Sequence, residues 1–395
     1  MATTGALLGA MACAALLLAG EVVVDSADAR TTIGRGDWID AITWRDQVAR
    51  MRATPEGGFE LEHPGGKRAI APQAMRSETA SPMFDGLFAL AQAEFEEDKV
   101  EAITDWSFND QKPFPCACFE TGEKWHYVWT RDLSYAADLA LARLDPARTK
   151  TSLRFKLTGV RNPAAPQGLT VAQDTGSGGS WPISTDRVVW FLAARHLLDD
   201  PAFAGEVREA LRNTLAQDRA YAFEDAMGLY RGETSFLDWR EQNYPAWTAK
   251  DTTFIAESFA LSTNVLHYEA LRLAERVDAA HAADYRTQAD ALRDAIDRHF
   301  WREDRGLYMS YIGTSFNPMP IESYDLLGTS LAVLSGVAPA ERAKRAMQRY
   351  PVVSAGSPVI WPQQPATAIY HNRAIWPFVS AYALRASRRA SACVR

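Results

Sequence analysis

The 395-residue chain is poor in the features that mark several functional classes. It has four cysteines. Cys13 lies inside an apolar run, Cys393 sits at the tail, and Cys116 and Cys118 are too close in sequence to bridge easily, so no disulfide framework is expected. The seven histidines are scattered and none pairs with another at helical spacing, so no zinc site is expected. Lys and Arg number 42 against 49 Asp and Glu, a net charge of −7, with no basic patch or stripe; nucleic acid is not an expected partner. A mildly acidic protein suits a neutral or cationic small ligand better than a polyanion. The glycines of QDTGSGGSWPISTDRVVW (173–190) are no phosphate cradle, because no Gly-Lys-Ser/Thr follows them. Beyond the first thirty residues no apolar stretch is long enough to span a bilayer, so no stable membrane anchor is expected. β-Branched runs are few, which leaves little room for a sheet, and no fixed-period repeat is visible.

What is present begins with an apolar, uncharged run at 6–19, too short to span a bilayer comfortably and without a Lys or Arg ahead of it. Ala27, Asp28 and Ala29 offer a small-x-small cleavage site before Arg30. The expectation is a secretory signal over 1–29 and an exported protein, periplasmic or extracellular, whose mature domain is 30–395. Apolar residues make up 47% of the chain, enough for a sizeable core. Residues 31–82 read as loops with a short helix over 38–52. From Ser81 onward, apolar residues recur at helical spacing, and helices are expected near 84–95, 130–144, 187–197, 202–218, 252–275, 282–299, 322–335, 339–349 and 372–387. A short strand near 307–312 is the one exception. The polar and aromatic signatures fall at the joints between helices: 125–132, 173–187, 230–247, 317–325 and 361–377. In a ring of helical hairpins the loops at one end converge on a single cleft, and function lives there.

The densest joint is MGLYRGETSFLDWREQNYPAW (227–247). It packs Glu233, Asp238 and Glu241, two arginines, and rings that include Trp239 into one span. A solvated charged face would not carry so many aromatics, and a core segment would not carry so many charges. Flat rings stack on the apolar faces of a pyranose, while acids and arginines hydrogen-bond its hydroxyls; one acid can protonate a glycosidic oxygen. Trp181, beside the glycine loop, is a further stacking platform, and Asp186 and Arg187 follow it into a helix.

Four blocks carry a resemblance: WTRDLSYAADLAL (129–141), SWPISTDRVVWFL (180–192), TSFLDW (234–239) and YHNRAIWPFVSAYAL (370–384). In this order the chain resembles the six-hairpin glycosidases, the (α/α)6-toroid enzymes that include glucoamylases and the amylo-α-1,6-glucosidase part of glycogen-debranching enzymes. The resemblance implies an all-α, (α/α)6-toroid glycoside hydrolase that works by inversion, without metal or organic cofactor, on an oligosaccharide or polysaccharide. It implies that Asp238 protonates the leaving oxygen. It implies that Arg131 and Asp132, beside Trp129, grip the terminal sugar and make the enzyme exo-acting, and that His371, Asn372 and Trp376 line the opposite wall. α-Glucosides are the first expectation by analogy.

Inversion needs a second carboxylate to activate water. The segment ahead of Tyr370, SPVIWPQQPATAI, has no acid. Glu322 is the first candidate, Glu241 the second and Glu233 the third. A six-hairpin toroid needs twelve barrel helices, more than the pattern supports, and RASRRASACVR at the end reads as a basic tail without a packing pattern; truncation at the C-terminal end is the expectation. Two rival readings stay open: a non-catalytic or inactive carbohydrate-binding toroid, and a polysaccharide lyase on the same scaffold.

Overall fold

The structure is a computed structural model that describes residues 22–25, 30–35, 38–44, 47–79, 81–105, 109–158, 168–173, 181–235, 248, 251–353, 355–364 and 370–392. The chain divides into two compact units, 1–99 with 353–355 and 100–352 with 356–395.

The first unit is an antiparallel meander of β1 (Val22–Asp25), β2 (Arg30–Arg35), β3 (Trp38–Trp44), β4 (Gln47–Ala53), β5 (Phe59–His63) and β6 (Gly66–Ile70), paired in chain order. The register sets Met51 opposite Leu61 and Phe59 opposite Ile70. Helix α1 (Pro82–Glu97) begins where the Ser81 side chain accepts the Phe84 N–H, with proline in its first turn. Its Met83 and Ala89 pack with Met51 and Ile70. Gly86 passes against the Met51 sulfur, where a Cβ would collide.

This sheet corrects the all-α expectation, and the helix expected over 38–52 is strands β3 and β4. The strand signal is weak for a physical reason: β4, QVARMRA, buries only Met51, so hydrophobic alternation barely registers. The cleavage site expected at Ala27 to Ala29 lies outside the described residues.

Helical hairpins build the second unit, with short strands at their joints. In chain order these strands are β7 (Lys99–Ile103), β8 (Phe114–Phe119), β9 (Phe223–Glu224), β10 (Leu229–Tyr230), β11 (Phe259–Ala260), β12 (Trp301–Arg302), β13 (Leu307–Tyr308), β14 (Tyr311–Thr314), β15 (Asn317–Pro320), β16 (Tyr324–Asp325) and β17 (Ile360–Trp361). In β8, Cys116 and Cys118 share a face and are joined as a disulfide across a Cα separation of 5.1 Å. That separation lies in the range a disulfide spans, which corrects the expectation from their spacing. The expected strand at 307–312 is divided between β13 and β14. Two hairpins end alike, in Gly228-Leu229-Tyr230 and Gly306-Leu307-Tyr308; both glycines turn the chain at positive φ, 68° and 69°.

The helices are α2 (Thr130–Ala136), which runs on through a π turn (Ala137–Leu141) to Leu144, then α3 (Pro146–Phe155), α4 (Val189–Ala194), α5 (Pro201–Tyr221), α6 (Thr252–Glu257), α7 (Leu261–Val277), α8 (Ala282–Phe300), α9 (Leu326–Ser335), α10 (Ala340–Arg349) and α11 (Pro377–Ala392). Asp145, Asp200 and Asp251 cap α3, α5 and α6 through their carboxylates. The single helix expected over 252–275 is cut at Phe259–Ala260, because these two residues pair with β14. The expected basic tail is the last part of α11, with Ala386 and Ala390 buried.

Helices α2, α4, α7, α9 and α11 pack side by side in that order, and α3, α5, α8 and α10 pair with them. Every residue of α4 is buried. The row then returns to its start. Tyr382 Oη and Arg385 Nη1 of α11 donate to Asp138 Oδ2 in the π turn of α2, at 2.7 and 3.0 Å. The rings of Phe378 and Tyr382 meet that of Tyr135 at 5.5 and 5.6 Å. Among the described residues this inner row has five helices, where the (α/α)6 expectation calls for six.

Asp138 Oδ1 also takes Arg195 Nη2 at 2.8 Å and lies 2.7 Å from His196 Nε2. Burial alone would raise this carboxyl; His196, Arg195, Tyr382 and Arg385 together outweigh it and hold it well below its ordinary value. A carboxyl depressed on folding contributes stability that is present above its unfolded pKa and lost as pH falls toward the folded one. Asp138→Asn should therefore cost about 3 kcal/mol at pH 7, the order found when a buried ion network loses a partner. In thermal melts from pH 5 down to 2, the wild type should lose stability faster than the variant.

Candidate functional site

The described parts of the joints named in the sequence lead into the starts of the inner helices. Backbone N–H groups at helix starts present a positive potential to that end of the unit. At the start of α2, Trp129 is half-buried and meets Tyr127 edge-on at 4.8 Å. Arg131 Nη1 stands 3.7 Å from Asp186 Oδ2, and Asp132 is exposed in the first turn. Asp186 is fully buried; its Oδ1 accepts Gln173 Nε2 at 2.6 Å and Ser184 Oγ at 3.1 Å. Arg131 and Asp186, from two separate blocks of sequence, thus face each other.

The start of the acid-and-aromatic segment is strapped to α7. Thr263 Oγ1 donates to the Glu233 carbonyl at 2.7 Å, and Ser235 N donates to Ser262 Oγ at 3.0 Å. Tyr135 Oη lies 2.8 Å from Ser235 Oγ. Burial pushes the Tyr135 hydroxyl far up; the Ser235 hydrogen bond opposes it, Asp186 adds to it, Arg131 opposes it and Asp325 adds to it. Tyr135 therefore senses acids that precede both α4 and α9. Glu233 is itself buried. Asp238, Trp239 and Glu241 lie outside the described residues.

A second cluster was not anticipated from the sequence. Asp218, at the end of α5, is fully buried and accepts Arg187 Nη2 at 2.5 Å and Trp181 Nε1 at 2.9 Å, with His267 Nε2 at 3.2 Å. Burial would raise the Asp218 carboxyl, but Arg187 and His267 outweigh it and leave it lowered. The His267 ring stacks on Tyr230 with centroids 3.9 Å apart. Arg187 was expected to touch substrate; its guanidinium is instead buried, bound to Asp218, Gln217 and the Val171 carbonyl. Trp181 is half-buried and its indole N–H is committed to Asp218, which fixes the ring. The available sequence clue was polar His267 on the otherwise apolar face of α7.

On the C-terminal side, His371 is buried between Tyr370 and Trp376, at 4.7 and 4.9 Å between ring centroids. Asn372 was expected to line the site; its amide oxygen and nitrogen each bond the main chain of Gln364 at 2.8 Å, which makes it a loop clamp. Glu322 does not join the buried acids. It is exposed and sits 2.9 Å from Arg305 and 3.6 Å from Arg302. Its neighbour Asp325 is fully buried, capping α9 with Oδ1 on the Gly328 N–H. Burial, opposed by Gly328 and Ser310, raises the Asp325 carboxyl to about 6.

A cavity of about 620 Å³ lies at the other end, where α4, α7 and α9 finish. Its wall is built of ion pairs such as Arg195–Glu269 at 2.6 Å, and none of the expected site residues lines it.

No protein-family model and no curated protein matches the chain. Solved structures do. The neutral trehalase of Saccharomyces cerevisiae is similar with a TM-score of 0.51 and 11% identity, over 73% of this chain and 66% of the trehalase. The family 78 rhamnosidase of Bacillus sp. GL1 is similar with a TM-score of 0.41 and 21% identity, over 53% of this chain and 21% of the rhamnosidase. A glycosyl hydrolase family 88 structure from Bacteroides vulgatus is similar with a TM-score of 0.44 and 14% identity, over 78% of this chain and 86% of that one. The chain thus spans about two thirds of the trehalase and about a fifth of the rhamnosidase. At these identities the trehalase comparison establishes a shared helical scaffold.

Proposed function

We propose that the chain is a glycoside hydrolase that removes a terminal sugar, with α-glucosides first among its substrates, by inverting acid/base catalysis. The observation that carries this reading is the meeting of Arg131 and Asp186 at 3.7 Å beside the buried start of the ETSFLDW segment. Arg131, the more exposed of the two, is oriented by the buried Asp186 carboxylate and is suited to donate to sugar hydroxyls. Trp129, Trp181 and Trp376 are half-buried rather than sealed in the core, and are the rings offered for stacking on a pyranose. Asp238 gives its proton to the glycosidic oxygen as the bond to the anomeric carbon lengthens. Gripping the terminal hydroxyls makes the enzyme exo-acting, and export, with loss of 1–29, would bring it to extracellular or periplasmic glycans.

Sugar release from a panel of α- and β-linked oligosaccharides tests this. Wild-type protein should liberate a terminal monosaccharide, and Asp238→Asn should lower kcat by about 10²–10⁴. Equal release by both proteins removes Asp238 from the acid role; an ultraviolet-absorbing unsaturated product in place of a reducing sugar would indicate a lyase. Arg131→Met should cut kcat/KM by about tenfold to a hundredfold, the order of one lost charged hydrogen bond. An unchanged kcat/KM would mean that Arg131 serves only to balance Asp186.

A further inference from the structure

The first unit holds a cavity of about 210 Å³ between α1, the turn that joins β4 to β5, and the loop 71–79. The loop is fixed to α1 at two points. Buried Gln92 donates from Nε2 to the Met75 carbonyl at 2.8 Å and accepts the Met75 N–H at 3.1 Å. Asp85 accepts the Thr79 N–H at 3.1 Å and the Thr79 hydroxyl at 2.9 Å. The turn is fixed as well: Gly57 N and Gly58 N donate to the Thr54 carbonyl and hydroxyl at 3.0 and 3.2 Å, and a Cβ at Gly58 would collide with the Ile70 carbonyl. Between the two clamps of the loop stand Arg76, Ser77 and Glu78, and all three line the cavity. Among the described residues their side chains have no hydrogen-bond or ion partner. Phe59 and Phe88 line the same space. Phe88 is exposed, as is Phe84 one turn earlier on α1.

We propose that this cavity is a non-catalytic sugar-binding site, which takes one pyranose residue of a neutral glycan. Polar surface side chains are ordinarily solvated and need no ligand. Here they are held on a clamped loop around a space that also has aromatic walls, and that combination suits a ligand with an apolar face and a hydroxylated edge. The rings take the apolar face of the sugar. The Arg76 guanidinium donates to its hydroxyls, the Glu78 carboxylate accepts from them, and the Ser77 hydroxyl can do either. Arg76 is offset by Glu78, so the lining favours a neutral polyol over a free anion or cation. The volume is below the roughly 300 Å³ of sites for drug-sized ligands and admits a single ring. Phe84 offers a second ring to the next residue of a longer glycan. Such a site would hold the protein on its glycan, and it stands or falls independently of the hydrolase reading.

The test titrates the full chain with maltotetraose and with cellotetraose by calorimetry, and with free glycine as a zwitterionic control. It compares wild type, Phe88→Ala and the double variant Arg76→Ala/Glu78→Ala. All three positions are exposed, so both variants should melt with the wild type. Wild type should bind one of the two sugars, and each variant should weaken that binding by about tenfold or more, the order of one lost stacked ring or charged hydrogen bond. Where the helical unit binds the same sugar, the loss appears as one fewer bound sugar per chain. Equal binding by wild type and both variants overturns the site, as does binding of neither sugar or of glycine alone. Sugar release from maltotriose separates this site from the hydrolase: the variants should keep wild-type kcat, and a kcat that falls in step with binding overturns a separate site. Should wild type release no sugar while Phe88→Ala still loses binding, the hydrolase reading falls and this site stands.

Discussion

Asp138 is the point on which the helical unit closes. A carboxylate with almost no exposure is expensive to bury, and it is tolerated because four donors from two other places converge on it. Arg195 and His196 come from the turn after α4, and Tyr382 and Arg385 come from α11. Arg195 reaches on to Glu269 in α7, so the network joins four helical elements. The π turn at Ala137–Leu141 places Asp138 in it, in keeping with the way such turns re-aim a side chain at a specific task. Because α11 is tied to α2, the residues just before α11, His371 and Trp376, come to the same end of the unit as Trp129 and Arg131.

The buried acids follow one electrostatic rule with two outcomes. At Asp138 and Asp218 a cation and an imidazole outweigh burial and the carboxyl is lowered, whereas at Glu269 burial prevails over Arg195 and the carboxyl is raised. Asp138 and Asp218 are permanent anions and serve as scaffold. Where only neutral donors reach the acid, as at Asp325, burial prevails and the carboxyl moves toward neutral pH. A group of that kind can change its protonation near neutral pH. Asp218, held as an anion, fixes the Trp181 indole N–H and thereby the ring.

Much of the helical unit was legible in the sequence. The periodicities at 202–218, 282–299 and 339–349 match α5, α8 and α10, amphipathic helices that bury one face. The blocks at 129–141 and 180–192 do contribute to one cluster, through Arg131 and Asp186. The meander of the first unit was not legible, because strands that bury one residue in seven leave little alternation. The break between α6 and α7 was also hidden. Phe259 and Ala260 suit a helix as well as a strand, and only pairing with Tyr311 and Ile312 decides between them.

The sequence by itself determined which residue types are available and where the helices begin, since capping aspartates, first-turn prolines and apolar stripes are local and need no partner. It could not determine what each acid or amide faces. Asn372 and Arg187 look like substrate contacts in the chain, yet one holds a loop and the other neutralises Asp218. Glu322 and Asp325 are three positions apart in one motif; tertiary packing set the first among surface arginines and buried the second without a counter-charge. Those partners come from positions far apart in sequence, and burial, which sets the strength of every charge here, exists only once they have met.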